Sequence, residues 1–198
     1  VPEAAPVMTA LAQRGWTLSH VFLTHHHADH VDGLDLLLKT HPAKVIGAAA
    51  DAHRLAALDL AVREGDYISI GSYRGEIMDV SGHTLGHIAL HFLEAKAAFT
   101  ADSLMALGCG RLFEGSPQLM LESLTKLAAL PAQTWIYSGH EYTASNLKFA
   151  LSIEPENARL ISRGEKITAA RQAGRPTVPE LLSEELATNP FLRSHTTE

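Results

Sequence analysis

The sequence predicts an α/β layered domain closed by a helical cap, and three observations carry that expectation. Short apolar runs of strand length are interspersed with amphipathic stretches of helix length up to residue 141. From Tyr142 onward the pattern is helical, with no convincing strand. Of the 198 residues, 46% are hydrophobic, which is enough for one sizeable core. The order of the runs leaves open whether the sheet is parallel or antiparallel.

Residues 6–15 read as a helix with Val7, Leu11 and the small alanines inward, stopped by Gly15. "LSHVFLT" is a compact apolar strand that runs straight into "HHHADH". "HVDGLDLLLKTH" places Val31, Leu34, Leu37 and Leu38 on one helical face and ends at His41-Pro42, because the residue before proline avoids helical backbone. "AKVIGAA" is a second buried strand, followed by a helical stretch from Asp51. "DYISIG" and "GEIMDVSG" are strands separated by a glycine-rich turn, and "HIALHFL" and "AAFTADS" form a hairpin across Glu94 to Lys96. Ser116-Pro117 starts a helix through "QLMLESLTKLAAL", with proline at the first position, where no N–H is needed. "TWIYSGH" is the last strand, and the helical remainder holds "NPFLR". No internal repeat or low-complexity segment stands out.

Net charge is -6 with histidines neutral, and no long basic run occurs, which argues against a nucleic-acid partner. The strongest apolar stretch, Leu34 to Leu38, is far too short to span a bilayer, so no membrane association is expected. The single cysteine, Cys109, excludes an intrachain disulfide and suits a reducing cytosol, so the expected location is cytoplasmic. The chain opens "VPEAAPV" without methionine, so its natural N-terminus is expected to lie further upstream.

Twelve histidines are many for this length, and their positions matter more than their number. A strand ending in His-x-His points alternate imidazoles the same way, so His25 and His27 converge while His26 points elsewhere. Asp29 and His30 fall where the loop turns into the next helix, which can fold them back beside the first pair. One metal rarely takes four ligands from so tight a stretch, whereas two adjacent metals can divide them. Further strand ends supply His83 and His87 in "SGHTLGH", Asp102 in "FTADS" and His140 in "YSGHEY". Zinc prefers such nitrogen and oxygen donors, and a carboxylate at Asp102 would bridge two ions and balance part of their charge. Most single histidines are surface or satisfied core residues, and His20, His41, His53, His91 and His195 are left in that class.

On these residues the sequence resembles the metallo-β-lactamase fold superfamily, marked by HxHxDH followed by spaced His, Asp and His. "THHHADH", "GHTLGH", "FTADSL", "GCGRLFEG", "SGHEYTASNLKFA" and "ATNPFLR" resemble, in that order, the hydroxyacylglutathione hydrolase (glyoxalase II) family from about Thr24 to Arg193. HxHxDH is shared by many activities; "GRLFEG", "GHEYT" and "NPFLR" together belong to this branch. The resemblance implies an αββα sandwich over residues 1–141, with the site at one edge of its two sheets, and a glutathione-binding C-terminal helical region over residues 142–198. It implies that His25, His27 and His83 bind one metal and Asp29, His30 and His140 the second, with Asp102 bridging. Arg111, Phe113, Tyr142 and Arg193 fall where the family contacts glutathione. Relatives carry Lys where Arg111 stands, Tyr where Phe113 stands, and Gly where Ala101 and Asp32 stand. The family's N-terminal strand pair and its last helical segment are expected to be missing from this chain.

The activity so implied is hydrolysis of S-2-hydroxyacylglutathione thioesters such as S-D-lactoylglutathione to glutathione and D-lactate, the second step of methylglyoxal detoxification. Two divalent ions about 3.5 Å apart lower the pKa of a shared water, and the hydroxide attacks the thioester carbonyl. Zinc is the first expectation, with iron or manganese as alternatives. Asp29 and Asp102 are the residues expected to act in catalysis as well as to bind metal. Ser103 and Cys109 have no partners suggesting covalent catalysis. The substrate is a small molecule and the expected state a monomer. Of the rivals, a glutathione persulfide dioxygenase would use one iron held by two His and one Asp, and "FEG", His87 and "GHEYT" speak against it. A β-lactamase is disfavoured because Asp102 stands where many of those enzymes use Cys.

Overall fold

The structure, a computed structural model, describes residues 1–194; the last four residues of the expected C-terminal region, His195 among them, lie outside the described residues. Helix α1 (Ala4–Arg14) begins at Ala4 rather than residue 6 and ends at Gly15, whose φ of 61° is a left-handed cap. Strand β1 (His20–Leu23) pairs in parallel with β2 (Lys44–Ala48). A parallel pair needs a crossover, and α2 (Ala28–Val31) and α3 (Leu34–Thr40) provide it. The one helix expected from "HVDGLDLLLKTH" is broken between them, at Asp32-Gly33. A Cβ added at Gly33 would lie 2.8 Å from the Ala4 nitrogen, and the Gly33 N–H donates to the Val1 carbonyl at 2.9 Å. The start of α1 crosses the chain here, and glycine leaves it room.

After β2 the expected helix from Asp51 does not form. A single 3-10 turn at Ala49–Asp51 ends it, and the Asp51 side chain is buried against His26 and Arg54. The chain then returns as β3 (Leu60–Val62), parallel to β2, a run too short for its periodicity to be read. Strands β4 (Tyr67–Ile70), β5 (Tyr73–Asp79), β6 (Ile88–Phe92) and β7 (Ala97–Ala101) form an antiparallel meander, the last two joined across Glu94 to Lys96 as expected. A small hairpin, β8 (Leu104–Met105) with β9 (Gly108–Cys109), follows directly. Helix α4 (Pro117–Ala128) is capped by the Ser116 hydroxyl, which accepts from the Leu119 N–H at 3.2 Å. Strand β10 (Trp135–Ser138) runs parallel to β7. Beyond it come α5 (Thr143–Ile153), α6 (Ala158–Gln172), a two-residue strand β11 (Glu180–Leu181) and α7 (Leu182–Thr188). β11 pairs antiparallel with the edge of β10, a strand in the region read as helical. The larger sheet thus has the order β11-β10-β7-β6-β5-β4.

Side-chain alternation sorts these elements into layers. Val21, Leu23 and Val45 face α1 and α3, together with Ala4, Leu34 and Leu37. Ile46, Ala48 and Val62 face the other way, against Ile68, Ile77, Ile88, Leu90 and Phe92 of the larger sheet. The far face of that sheet, with Met78, Ala89, Ala98 and Ile136, packs on Met120, Leu124 and Leu127 of α4 and on Leu182 of α7. Helix, sheet, sheet and helix layers follow in that order, the αββα sandwich. Both parallel and antiparallel pairs occur, which the apolar runs could not distinguish. Among the described residues no helix is long and apolar enough to cross a membrane.

Candidate metal centre

Four chain segments converge at one end of the sandwich. β1 delivers the 25–30 loop, β5 leads into the loop holding His83 and His87, and β7 and β10 end just before Asp102 and His140. Because β7 and β10 are parallel neighbours, their two polar residues arrive side by side. His25 is fully buried and His27 joins the same cluster, while His26 turns away to Asp51 at 3.0 Å. α2 starts immediately after His27 and folds Asp29 and His30 back over the site.

The donor atoms of His25, His27 and His83 lie within 4.8 Å of one another, as do those of Asp29, His30 and His140, and those of His25, His30 and Asp102. Asp102 stands between the first two groups. Its Oδ2 is 3.5 Å from His83 Nε2 and 3.2 Å from His140 Nε2, and its Oδ1 is 3.4 Å from His30 Nε2. Asp29 Oδ2 lies 3.2 Å from His140 Nε2. Two glycines make this closeness feasible. A Cβ at Gly139 would come within 2.3 Å of Asp102 Oδ1, and one at Gly110 within 2.0 Å of the Asp102 carbonyl oxygen.

These residues fit a divalent ion. His25 Nε2 is buried with no hydrogen-bond partner, an arrangement that costs free energy unless something else meets its lone pair. His83 uses its Nδ1–H on the Arg111 carbonyl at 2.8 Å, so its Nε2 presents a lone pair to the cluster. Burial, and then the charges of His87, His30, His83 and His27, push His25 well below the ordinary imidazole range; burial, His83 and His26 lower His27. Burial pushes the Asp102 carboxyl up, but contact with His30 and the charges of His30, His140 and His83 outweigh it and hold the group below its usual value. Imidazoles disfavoured in the charged form, at His25 and His27, beside an ionised carboxylate at Asp102 belong to the donor set a divalent metal takes. The cluster is a divalent-metal site.

The site opens into a cleft of about 670 Å³ lined by His27, Asp29, His83, Asp102 and His140 together with Arg111, Phe113 and Tyr142. The Tyr142 ring stacks on His140, with centroids 4.7 Å apart. Arg193 is placed differently from its three companions. It lines an adjoining groove that shares Cys109, Gly110 and Arg111 with the cleft, and its Nε donates to both Glu154 oxygens, at 3.0 and 2.9 Å. Burial pushes the Cys109 thiol up to about 11, so it stays protonated and is a poor nucleophile. A larger cleft, about 720 Å³, runs between the sheets, but of the seven candidate ligands only His30 reaches it.

Sequence reasoning left two site residues without a task. His87 is fully buried, stacks on His25 at 4.6 Å and accepts a hydrogen bond from the Asp102 backbone N–H at 3.4 Å. Its place four residues after His83 was the signal available. Asn146 lines the cleft and donates to the Ala106 carbonyl at 3.0 Å, and nothing in its local sequence singles it out.

Comparison with known proteins adds names to this geometry. Residues 2–140 match the family described as the metallo-beta-lactamase superfamily, and residues 141–198 match the hydroxyacylglutathione hydrolase C-terminus. The chain is 62% identical over 194 residues to a hydroxyacylglutathione hydrolase of Roseobacter denitrificans, covering 98% of this chain and 76% of that protein. It is 64% identical, with the same coverage, to one from Jannaschia sp.. Among solved structures, ETHE1 from Myxococcus xanthus superposes with a TM-score of 0.63 at 26% identity, covering 98% of this chain and 87% of that one. The BLEG-1 B3 metallo-beta-lactamase gives 0.70 at 19% identity, covering 96% and 84%, a likeness of fold alone.

Proposed function

The chain belongs to the hydroxyacylglutathione hydrolase family of the metallo-β-lactamase superfamily, and from that premise we propose how it works as a thioester hydrolase on S-2-hydroxyacylglutathiones such as S-D-lactoylglutathione. The observation that carries the proposal is a cluster of seven convergent donors, five of which line one cleft together with Arg111, Phe113 and Tyr142.

His25, His27 and His83 would hold one ion and Asp29, His30 and His140 a second, with Asp102 common to both. Divalent ions there supply Lewis acidity and lower the pKa of bound water toward neutrality. The chain's residues do the rest. Asp29, exposed at the cleft, keeps an oxygen for orienting the attacking water. That water gives up one proton to solvent as its oxygen bonds to the thioester carbonyl carbon, the C–S bond breaks, and the thiolate departs with the electron pair and takes up the proton of the new carboxylic acid. A thiolate needs no side-chain acid to leave, and the protonated Cys109 is not needed as a nucleophile. Arg111 offers the cation that a peptide carboxylate requires, and Tyr142 is oriented by its stack on His140. Arg193, already engaged by Glu154, would reach glutathione only by exchanging that partner. The division between residues 1–141, which hold metal, and 142–198, which help hold the peptide, is a functional one.

Zinc is the ion we expect, with iron and manganese suited to the same donors. A monomer in the cytoplasm, acting on the second step of methylglyoxal detoxification, completes the proposal, and the lone cysteine fits that reducing compartment. A glutathione persulfide dioxygenase with a single iron would need only two His and one Asp, and would leave Asp29 and His140 without a task. Reconstituted protein should hydrolyse S-D-lactoylglutathione, measured as loss of thioester absorbance, and elemental analysis should find two metals per chain. One iron per chain, with oxygen consumed on glutathione persulfide and no thioester cleavage, would favour the dioxygenase.

A further inference from the structure

Two sequence features have no task in this reaction: His26, the middle of the histidine run, and Glu114, in the "FEG" of the 110–115 loop. The structure joins them. His26 Nδ1 and Arg54 Nε bond opposite oxygens of the fully buried Asp51, at 3.0 and 2.6 Å. Arg54 also donates from Nη1 to Glu114 at 2.5 Å and from Nη2 to the Leu85 carbonyl at 2.8 Å. The second Glu114 oxygen accepts from the Leu85 N–H at 2.8 Å, and His26 Nε2 stands 3.5 Å from the first. Asp51 and Arg54 therefore tie together the 25–30 loop, the 81–87 loop and the 110–115 loop.

The side chain this fixes is Phe113. It is 63% exposed, so no packing shell sets its direction. Yet its ring meets His27 and His83 edge-on, with centroids 5.5 and 5.3 Å away. The Phe113 N–H donates to the His83 carbonyl at 3.2 Å and the Gly115 N–H to the Gly82 carbonyl at 3.1 Å, which holds the path of the loop. Between those two anchors, Glu114 is the side chain tethered from outside. A charge-assisted tether of this kind is stronger than a neutral one and directional. We propose that Glu114, through Arg54 and Asp51, is a positioning residue that sets Phe113 over the metal cleft and so governs how tightly the glutathione thioester is held. The inference rests on the reading of the cleft as a glutathione thioester hydrolase.

The test compares wild type, Glu114→Ala, Glu114→Gln, Phe113→Ala, the Phe113→Ala/Glu114→Ala pair and Arg54→Lys on S-D-lactoylglutathione, with metal content and Tm measured on each. Glu114→Ala leaves Asp51 with both its partners, and should raise KM about tenfold while changing kcat less than about threefold, at unchanged metal content. Glu114→Gln has one acceptor oxygen where Glu114 uses two, so it keeps only one of the bonds from Arg54 and Leu85 and should raise KM to a value between wild type and Glu114→Ala. Arg54→Lys keeps a cation on Asp51 but cannot span to Glu114 and Leu85 as well, so it should raise KM like Glu114→Ala. In the Phe113→Ala background, Glu114→Ala should add little, because the ring it positions is gone. An unchanged KM, a fall in Tm or metal content that accounts for the loss, or full additivity in the pair would overturn the role of Glu114. A wild type that does not turn over S-D-lactoylglutathione overturns the hydrolase reading, and this inference with it, before any substitution is compared.

Discussion

Ala101 carries the strain that aims the metal centre. Its φ is 43°, a left-handed value costing a residue with a Cβ about 1–2 kcal/mol. The kink is where β7 slips register against β10, so that Ala101 pairs with Ser138 and Asp102 turns inward toward the histidines. Glycine relieves that strain at a cost of about 0.5–1 kcal/mol in unfolded-chain freedom. Ala101 lines the cleft between the sheets but is only 8% exposed, so the packing lost with its methyl group subtracts from that gain. Ala101→Gly should therefore stabilise the protein by up to about 1 kcal/mol in denaturant unfolding, with turnover unchanged. A loss of stability would show that the methyl packs more than its surroundings suggest. At this scale the ligand cluster was legible, because each candidate follows an apolar strand and alternation in His-x-His is a local rule. The partners of His26 and Arg193 were not. Asp51 is 25 residues away from one and Glu154 is 39 from the other, and no local spacing encodes such pairs.

Among the elements, α6 and α7 act on the site through one small hairpin. Glu185 of α7 is fully buried, accepts from the Leu107 N–H at 2.9 Å and pairs with Arg163 of α6. Asn189, the Asn of "NPFLR", donates to the carbonyls of Met105 at 3.1 Å and Gly108 at 3.0 Å. The turn between β8 and β9, which separates Asp102 from Arg111, is thus pinned from the far end of the chain. Leu107 holds a left-handed φ of 57° within it. Removing one partner of a buried ion pair strands the other charge, so Glu185→Ala should cost about 3–5 kcal/mol in equilibrium unfolding. A cost near zero would mean that Arg163 finds another acceptor, with Glu180, 3.8 Å from its Nε, the nearest candidate. "NPFLR" was readable as a motif, but its task was not, since the carbonyls it caps lie 84 and 81 residues upstream. β3, β8, β9 and β11 escaped notice for a different reason: two or three residues are too few to display a period of two. Helix α4 fell where its proline start and apolar face indicated, and α5 and α6 lie within the stretch read only as helical.

The division of tasks proposed between the two parts of the molecule is not matched by a division in its packing. The two family matches meet at residues 140 and 141, beside the division the sequence suggests. Packing crosses that line repeatedly. β11 adds a strand to the edge of β10, and the Leu182 and Ser183 N–H groups donate to the Thr134 and Ala132 carbonyls at 2.8 and 2.9 Å. Leu182 and Leu192 sit in the same core cluster as Met78, Ala98 and Leu127, while Leu107 packs with Leu147 and Leu160 of α5 and α6. Each part therefore lacks core residues that the other supplies. Unfolding the C-terminal helices alone would expose the β10 edge and leave Leu107 without the Glu185 acceptor for its N–H and without Leu147 and Leu160, which removes the reason for an intermediate with only one part folded. Calorimetry should show a single transition whose calorimetric and van't Hoff enthalpies agree. A divalent ion at the site stabilises the native state, so added zinc, the ion proposed, should move that entire transition upward rather than split it. Two transitions, of which only the first or the second responded to zinc, would instead make the parts before and after residue 141 separate folding units.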